Sequence, residues 1–286
     1  MKKNLIYILL ILFSLDLAAQ SRIITAGSSS SEIVCALGHC DNIVATDRTS
    51  TYPEKLQNLP SIGYRNSIGA EGLISQMPDL VILEEEYVKE ALIDQLESTD
   101  IKTVVVTQDR TWASTQERIK TIAAALDEEE AGQQLIAELQ SELDELAELV
   151  ATTEARPTVL GVYARGAGSM QVGGSNSAFE LLELAGAQNA VPDIDGFKPL
   201  NTESLIQANP DYILFFNSGL QSVGGVDGVL DITGVAQTTA GKQRQIIAMD
   251  GVKMTNWGPR LPEAARELFY LTHPEAHASN TDTPEK

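Results

Sequence analysis

Tyr64 stands in a glycine-containing loop, Leu59-Pro60-Ser61-Ile62-Gly63-Tyr64-Arg65-Asn66, between two apolar segments and directly before a cation. A phenol so placed can ionise and ligate ferric iron, as tyrosine does for the iron of catalase. A free phenol titrates near about 10, so the metal must supply most of the drive to ionise. A neighbouring cation or hydrogen-bond donor would tune the rest. As one of seven tyrosines, Tyr64 could equally pack a turn. Flanking it are Thr49-Ser50-Thr51-Tyr52-Pro53, Ala70-Glu71-Gly72 and Pro78-Asp79-Leu80-Val81.

Other chemistry is poorly supported. There is no Gly-x-Ser-x-Gly elbow, and His39, His273 and His277 are too scattered for a catalytic set or a metal cluster. The spacing puts His39 in the turn after the first helix and the other two in a C-terminal tail. Gly27-Ser28-Ser29-Ser30-Ser31 lacks the Gly-Lys of a phosphate loop and reads as a strand-to-helix turn. Cys35 and Cys40 are the only cysteines. An oxidising compartment would allow them to pair, but Cys35 falls on the apolar face of a helix over 32–37, which favours two free thiols.

The formal charge of −20 over 286 residues disfavours nucleic acid or an anionic membrane as partner. An anionic ligand would need the few cations gathered at its site. Lys2 and Lys3 followed by an apolar run and Leu17-Ala18-Ala19 read as a cleavable export signal over 1–19. No cysteine follows that run, so the expected product is a periplasmic protein without a lipid anchor.

The elements that must hold Tyr64 follow from an internal repeat. Residues 68–83 align without gaps on 200–215, each a short helix, a Pro-Asp stop and an apolar strand. A weaker echo joins 32–38 to 180–186. Further strands are expected at 23–25, 43–46, 103–106, 158–162 and 245–249. Over 127–150, Leu135, Leu139, Leu143, Leu146 and Val150 form one apolar stripe among glutamates. The expected fold is α/β, with two βα lobes of mainly parallel sheet, 20–126 and 153–278, joined by one long helix over 127–152. Residues 279–286 read as a disordered tail.

The Tyr64 segment resembles the periplasmic haem-binding proteins of haem ABC importers, in which a TSxYP, LPxVGYxR/K and SAEG series carries an axial tyrosine. The resemblance extends to Ser218-Gly219-Leu220, Val223 to Gly228, Ala248-Met249-Asp250-Gly251 and Gly258-Pro259-Arg260. It implies a two-lobed fold of the class III binding-protein type, a largely preformed cleft, ferric haem as transported ligand, and delivery by a monomer to a permease dimer. Tyr64 would be the axial iron ligand. The family's second-shell donor stands two residues after the tyrosine, where this chain has Asn66; its cation is Arg65, one residue early. Either Arg65 reaches round the turn or Asn66 donates. Some members offer a histidine where this chain has Tyr163-Ala164-Arg165-Gly166. The resemblance thus implies five-coordinate or weakly ligated iron, with Arg165 at a propionate or the distal face. Tyr52, Met170, Phe197, Met254 and Trp257 are candidate porphyrin walls or core residues. Lys198, Lys253 and Arg260 are candidate propionate partners. Glu71 and Glu203, equivalent in the repeat, would dock onto the permease or cap their helices. A cobalamin or ferric-siderophore binder of the same fold is the alternative, and a secreted enzyme a weaker one.

Overall fold

The computed structural model describes residues 21–85, 88–107 and 109–276. The expected export signal and tail, with His277, lie outside them. The first lobe contains β1 (Ile23–Ala26), α1 (Ser28–Ala36), β2 (Ile43–Thr46), α2 (Ala70–Ile74), β3 (Leu80–Glu84), α3 (Glu90–Glu97), β4 (Lys102–Val106) and α4 (Trp112–Ala125). Its sheet is parallel throughout, in the order β2-β1-β3-β4. β1 and β3 are buried along their whole length, as expected of parallel strands covered on both faces.

Helix α5 (Glu129–Thr152) leads to the second lobe. At about 1.5 Å per residue it runs about 36 Å. Leu139 packs in the first lobe's core, while Leu143 and Leu146 pack in the second's. One apolar stripe therefore serves both cores. Gly132 lets α5 approach α4 closely, since a Cβ there would lie 2.5 Å from that of Ala123.

The second lobe contains β5 (Thr158–Ala164), β6 (Met170–Gly173), α6 (Leu181–Leu184), β7 (Gln188–Asn189), β8 (Phe197–Pro199), α7 (Thr202–Ala208), β9 (Tyr212–Phe216), α8 (Asn217–Ser222), α9 (Gly225–Leu230), α10 (Thr239–Gln243), β10 (Ile246–Met249), α11 (Gly251–Thr255) and α12 (Leu261–Thr272). Its sheet runs β10-β9-β5-β6-β8, with β7 beside the start of β5. β10, β9, β5 and β7 are parallel, while β6 and β8 are antiparallel additions.

Two expectations are corrected. Cys35 and Cys40 form a disulfide: α1 ends at Ala36, Gly38 takes a left-handed turn at φ 87°, and the chain folds Cys40 back to a Cα separation of 4.0 Å. His273 is fully buried rather than in a tail. Its ring stacks on Phe269 at 4.5 Å, and its nitrogens lie 3.0 Å from the Phe269 carbonyl and 3.3 Å from that of Ala155.

Candidate functional site

Both sheets present the carboxyl ends of parallel strands to one inter-lobe cleft, the usual ligand position in open α/β sheets. Ser28 follows β1, Thr49 follows β2, Tyr163 is the last residue but one of β5, Phe216 closes β9, and Asp250 and Gly251 follow β10. All of these line a cavity of about 610 Å³, together with Tyr64 and Arg65. Small-molecule sites typically span roughly 300–1,000 Å³. A hollow of about 730 Å³ lies in the second lobe alone, but Arg156 beside it donates to the carbonyls of Val150, Thr153 and Ala155.

Tyr64 is held outward by its turn. Gly63 and Arg65 both take positive φ, 116° and 47°. Ser67 Oγ accepts from the Tyr64 N–H at 3.1 Å and donates to the Tyr64 carbonyl at 2.6 Å. The ring is 41% exposed, so the phenol is presented rather than packed. Arg65 Nε donates to Tyr64 Oη at 3.0 Å. Of the two sequence alternatives, therefore, it is Arg65 that reaches round the turn to the phenol oxygen; Asn66 sits exposed in the same turn.

The opposite wall holds a second pair, of which Arg165 is a candidate from the sequence and Tyr163 is not. Arg165 Nε donates to Tyr163 Oη at 2.6 Å. The Tyr163 ring meets Phe197 and Phe216 edge-on at 5.9 and 6.0 Å, and Phe216 stacks on Phe179. Tyr163 and Arg165 share a face because side chains alternate along a strand. The expected strand stops at 162, and its extension through Ala164 is what makes the Tyr-x-Arg spacing a signal.

The floor under α1 is polar and tightly bonded. Asp47 accepts from Gly27 N–H, Ser50 Oγ, and both Thr49 N–H and Thr49 Oγ1, tying the 49–53 loop to the start of α1. Glu84 accepts from Ser30 N–H at 2.8 Å. Burial pushes its carboxyl up to about 7, against the lowering pull of Ser30 and of the Arg118 charge. Gly27, at φ 125°, is required here because a Cβ would fall 2.0 Å from Glu84 Cδ.

Several candidate residues lie elsewhere. Met254 and Trp257 are core residues of the second lobe: Met254 is buried on the helix 251–255, and Trp257 follows that helix at a left-handed φ of 51°. Arg260 is committed to Glu32, with Nε donating at 2.9 Å and Nη2 completing the fork, and its guanidinium stacks 4.0 Å from the Tyr52 ring. Tyr52 is thus a lid on an inter-lobe ion pair; burial raises the Glu32 carboxyl above its ordinary value despite that pair. Lys253 is bound by Glu263 and Glu267. Lys198, the strand neighbour of Phe197, faces a different hollow with Leu160 and Leu205. Met170 lines another away from the cleft. Buried Arg118 also joins the lobes, donating to Ser29 Oγ, the Trp257 carbonyl and the Thr107 carbonyl.

Two sheets facing one cleft across a single long helix define a substrate-binding protein of the class III type. The chain belongs to the periplasmic binding protein family, which it matches over residues 23–252. Its fold is similar to that of the periplasmic haem-binding protein RhuT from Roseiflexus sp. RS-1, with a TM-score of 0.85 and 35% identity over 90% of this chain and 99% of that one. The periplasmic haem-binding protein HutB of Vibrio cholerae matches at a TM-score of 0.81 and 32% identity, covering 90% of this chain and all of that one. Among curated relatives, the ABC transporter substrate-binding lipoprotein YvrC of Bacillus subtilis is 26% identical, over 89% of this chain and 80% of its own length. The Fe(3+)-citrate-binding protein YfmC of the same species is 31% identical, over 55% of this chain and 49% of its own length. These relatives are binding proteins of ABC transporters rather than enzymes. Among the described residues no helix is long and apolar enough to cross a membrane.

Proposed function

We propose that this protein captures ferric haem in the inter-lobe cleft of the periplasm and delivers it to an ABC permease. The observation that carries this reading is the outward-held Tyr64 phenol, in a cavity of suitable size, with Arg65 Nε on its oxygen. The Arg65 donor holds that oxygen in place, and ferric iron would ligate it as phenolate, the metal itself supplying the drive to ionise. The edge-on aromatic wall of Tyr163, Phe197 and Phe216 suits a porphyrin plane. Tyr163, with Arg165 on its oxygen, is the group available to the far side of the iron, in place of an open distal position. Similarity to haem-binding structures supports the reading. The curated relatives that bind ferric citrate or vitamin B12 keep a second ligand class in view, but a metal that arrives fully chelated has no use for a protein phenol.

Export by a signal cleaved off as residues 1–19 and action as a monomer belong to the same proposal. So does docking through Glu71 and Glu203, both exposed. Reversing both to arginine should leave haem binding intact and abolish transfer to the reconstituted permease. The ligand is tested by titrating the purified protein with hemin, cyanocobalamin and ferric citrate. Saturable hemin binding with a high-spin ferric spectrum and a tyrosinate charge-transfer band is expected. Preferential binding of either competitor would overturn the assignment.

A further inference from the structure

The repeat joining 68–83 to 200–215 persists in the fold as a short helix, α2 or α7, followed by a buried strand, β3 or β9. α2 and α7 each bury one leucine, Leu73 and Leu205, and each leads to a buried proline, Pro78 and Pro210. Each also exposes a glutamate and, three residues on, an isoleucine: Glu71 with Ile74, and Glu203 with Ile206. Ile74 is 43% exposed and Ile206 37%, two of only six large hydrophobic residues so exposed among the described residues. A single exposed isoleucine needs no explanation. Two at matching positions, one per lobe, each on the same helical face as a carboxylate, form a duplicated patch. Met77, the most exposed of the six, extends it on the first lobe.

The placement is also matched. Each helix returns the chain to the start of a parallel strand, so its first turn lies toward the strands' carboxyl ends, the edge where the cleft opens.

We propose that Ile74 and Ile206 are the apolar anchors of the docking face, each entering an apolar socket beside a cation on one half of a two-fold permease dimer. This rests on the reading of Glu71 and Glu203 as docking residues. Duplication across two lobes calls for a partner with two alike halves. A second copy of this chain is disfavoured, since it would bring carboxylates against carboxylates in a molecule of net charge −20. An anionic lipid surface is disfavoured on the same ground. The two residue types divide the work: rim carboxylates mainly set the encounter rate and its salt dependence, while buried apolar anchors mainly set the lifetime of the complex.

The test uses the full mature protein and a permease–ATPase complex of the source organism in lipid nanodiscs, chosen as the one the wild-type protein binds, with kinetics read by surface plasmon resonance. The double variant Ile74→Ala with Ile206→Ala should dissociate about tenfold faster or more, with the association rate, its salt dependence and hemin titration unchanged. Leucine at both positions should restore the lifetime. Glu71→Gln with Glu203→Gln should instead slow association and flatten its salt dependence. Thermal melting of each variant separates docking from folding. If the alanine pair leaves dissociation unchanged while the glutamine pair slows association, the carboxylates dock without apolar anchors and the proposal is wrong. If neither pair changes either rate, the docking face itself lies elsewhere and both readings fall.

Discussion

The two phenol–guanidinium pairs that face the cleft reach the same chemistry by different construction. Tyr64 and Arg65 are adjacent, and only a turn with two left-handed residues brings the guanidinium onto its neighbour's oxygen. Tyr163 lies near the end of β5 and Arg165 directly follows the strand, two residues on, where the extended chain brings the guanidinium to the phenol oxygen. Tyr64 stands free at the rim, whereas Tyr163 is wedged between Phe197 and Phe216. Beneath Tyr64's lobe lies an ionisable floor of Asp47 and Glu84; the facing lobe offers an aromatic wall. The first lobe therefore supplies adaptable charge and the second a fixed surface. A cleft that must hold a flat, anionic, metal-centred ligand needs both.

The largest expected effect breaks the contrast at the floor. Glu84 titrates at about 7 in the fold against an ordinary 4.5, a penalty of about 3 kcal/mol when it is ionised. Its stabilising share is complete below the unfolded value and is lost as pH rises through about 7. Glutamine retains an acceptor for the Ser30 N–H, so Glu84→Gln should raise unfolding stability by up to about 3 kcal/mol at pH 8, with the gain vanishing near pH 4. Denaturant titration at the two pH values checks this. A gain independent of pH would mean that the Glu84 carboxyl binds its proton equally well folded and unfolded, and would contradict the shift.

Removing the guanidinium from the rim pair comes next. Arg65→Ala should weaken hemin binding about 10–100-fold, the usual range for a residue supporting a metal ligand. Equilibrium titration with hemin reads the loss. The smallest effect should come from the fixed wall: Tyr163→Phe keeps the ring contacts and should cost under about tenfold in affinity. If it costs more than Arg65→Ala, the wall rather than the rim holds the iron.

Much of the fold was legible because its signals are local. The gapless repeat implied two lobes, and the stripe from Leu135 to Val150 implied the long helix whose ends enter different cores. The β6–β8 addition was not legible. β6 ends in Gly173, where Phe179 lies against both Gly161 and Gly173 in place of alternating side chains. The disulfide was missed because Cys35 satisfies a helical apolar pattern, and that pattern says nothing about the turn after the helix ends. At the site, Tyr64 and Arg65 are neighbours in sequence and could be read together. The fate of Arg260 could not, because its partner Glu32 lies 228 positions away and only the folded lobes bring them together. Met254 looks like a loop residue until 251–255 closes into a helix and buries it, and Trp257 until the left-handed turn after that helix places it in the core.

The central claim is that the Tyr64 phenolate holds ferric iron, and the absorption spectrum of the hemin complex of Tyr64→Phe tests it most directly. The wild-type complex should show a high-spin ferric spectrum with a tyrosinate charge-transfer band. Phenylalanine keeps the turn and the ring but removes the ligand oxygen, so that band should be lost and affinity should fall at least about 100-fold, more than for loss of a supporting residue. A Tyr64→Phe complex with the wild-type band and affinity would contradict the assignment and place the iron on another residue.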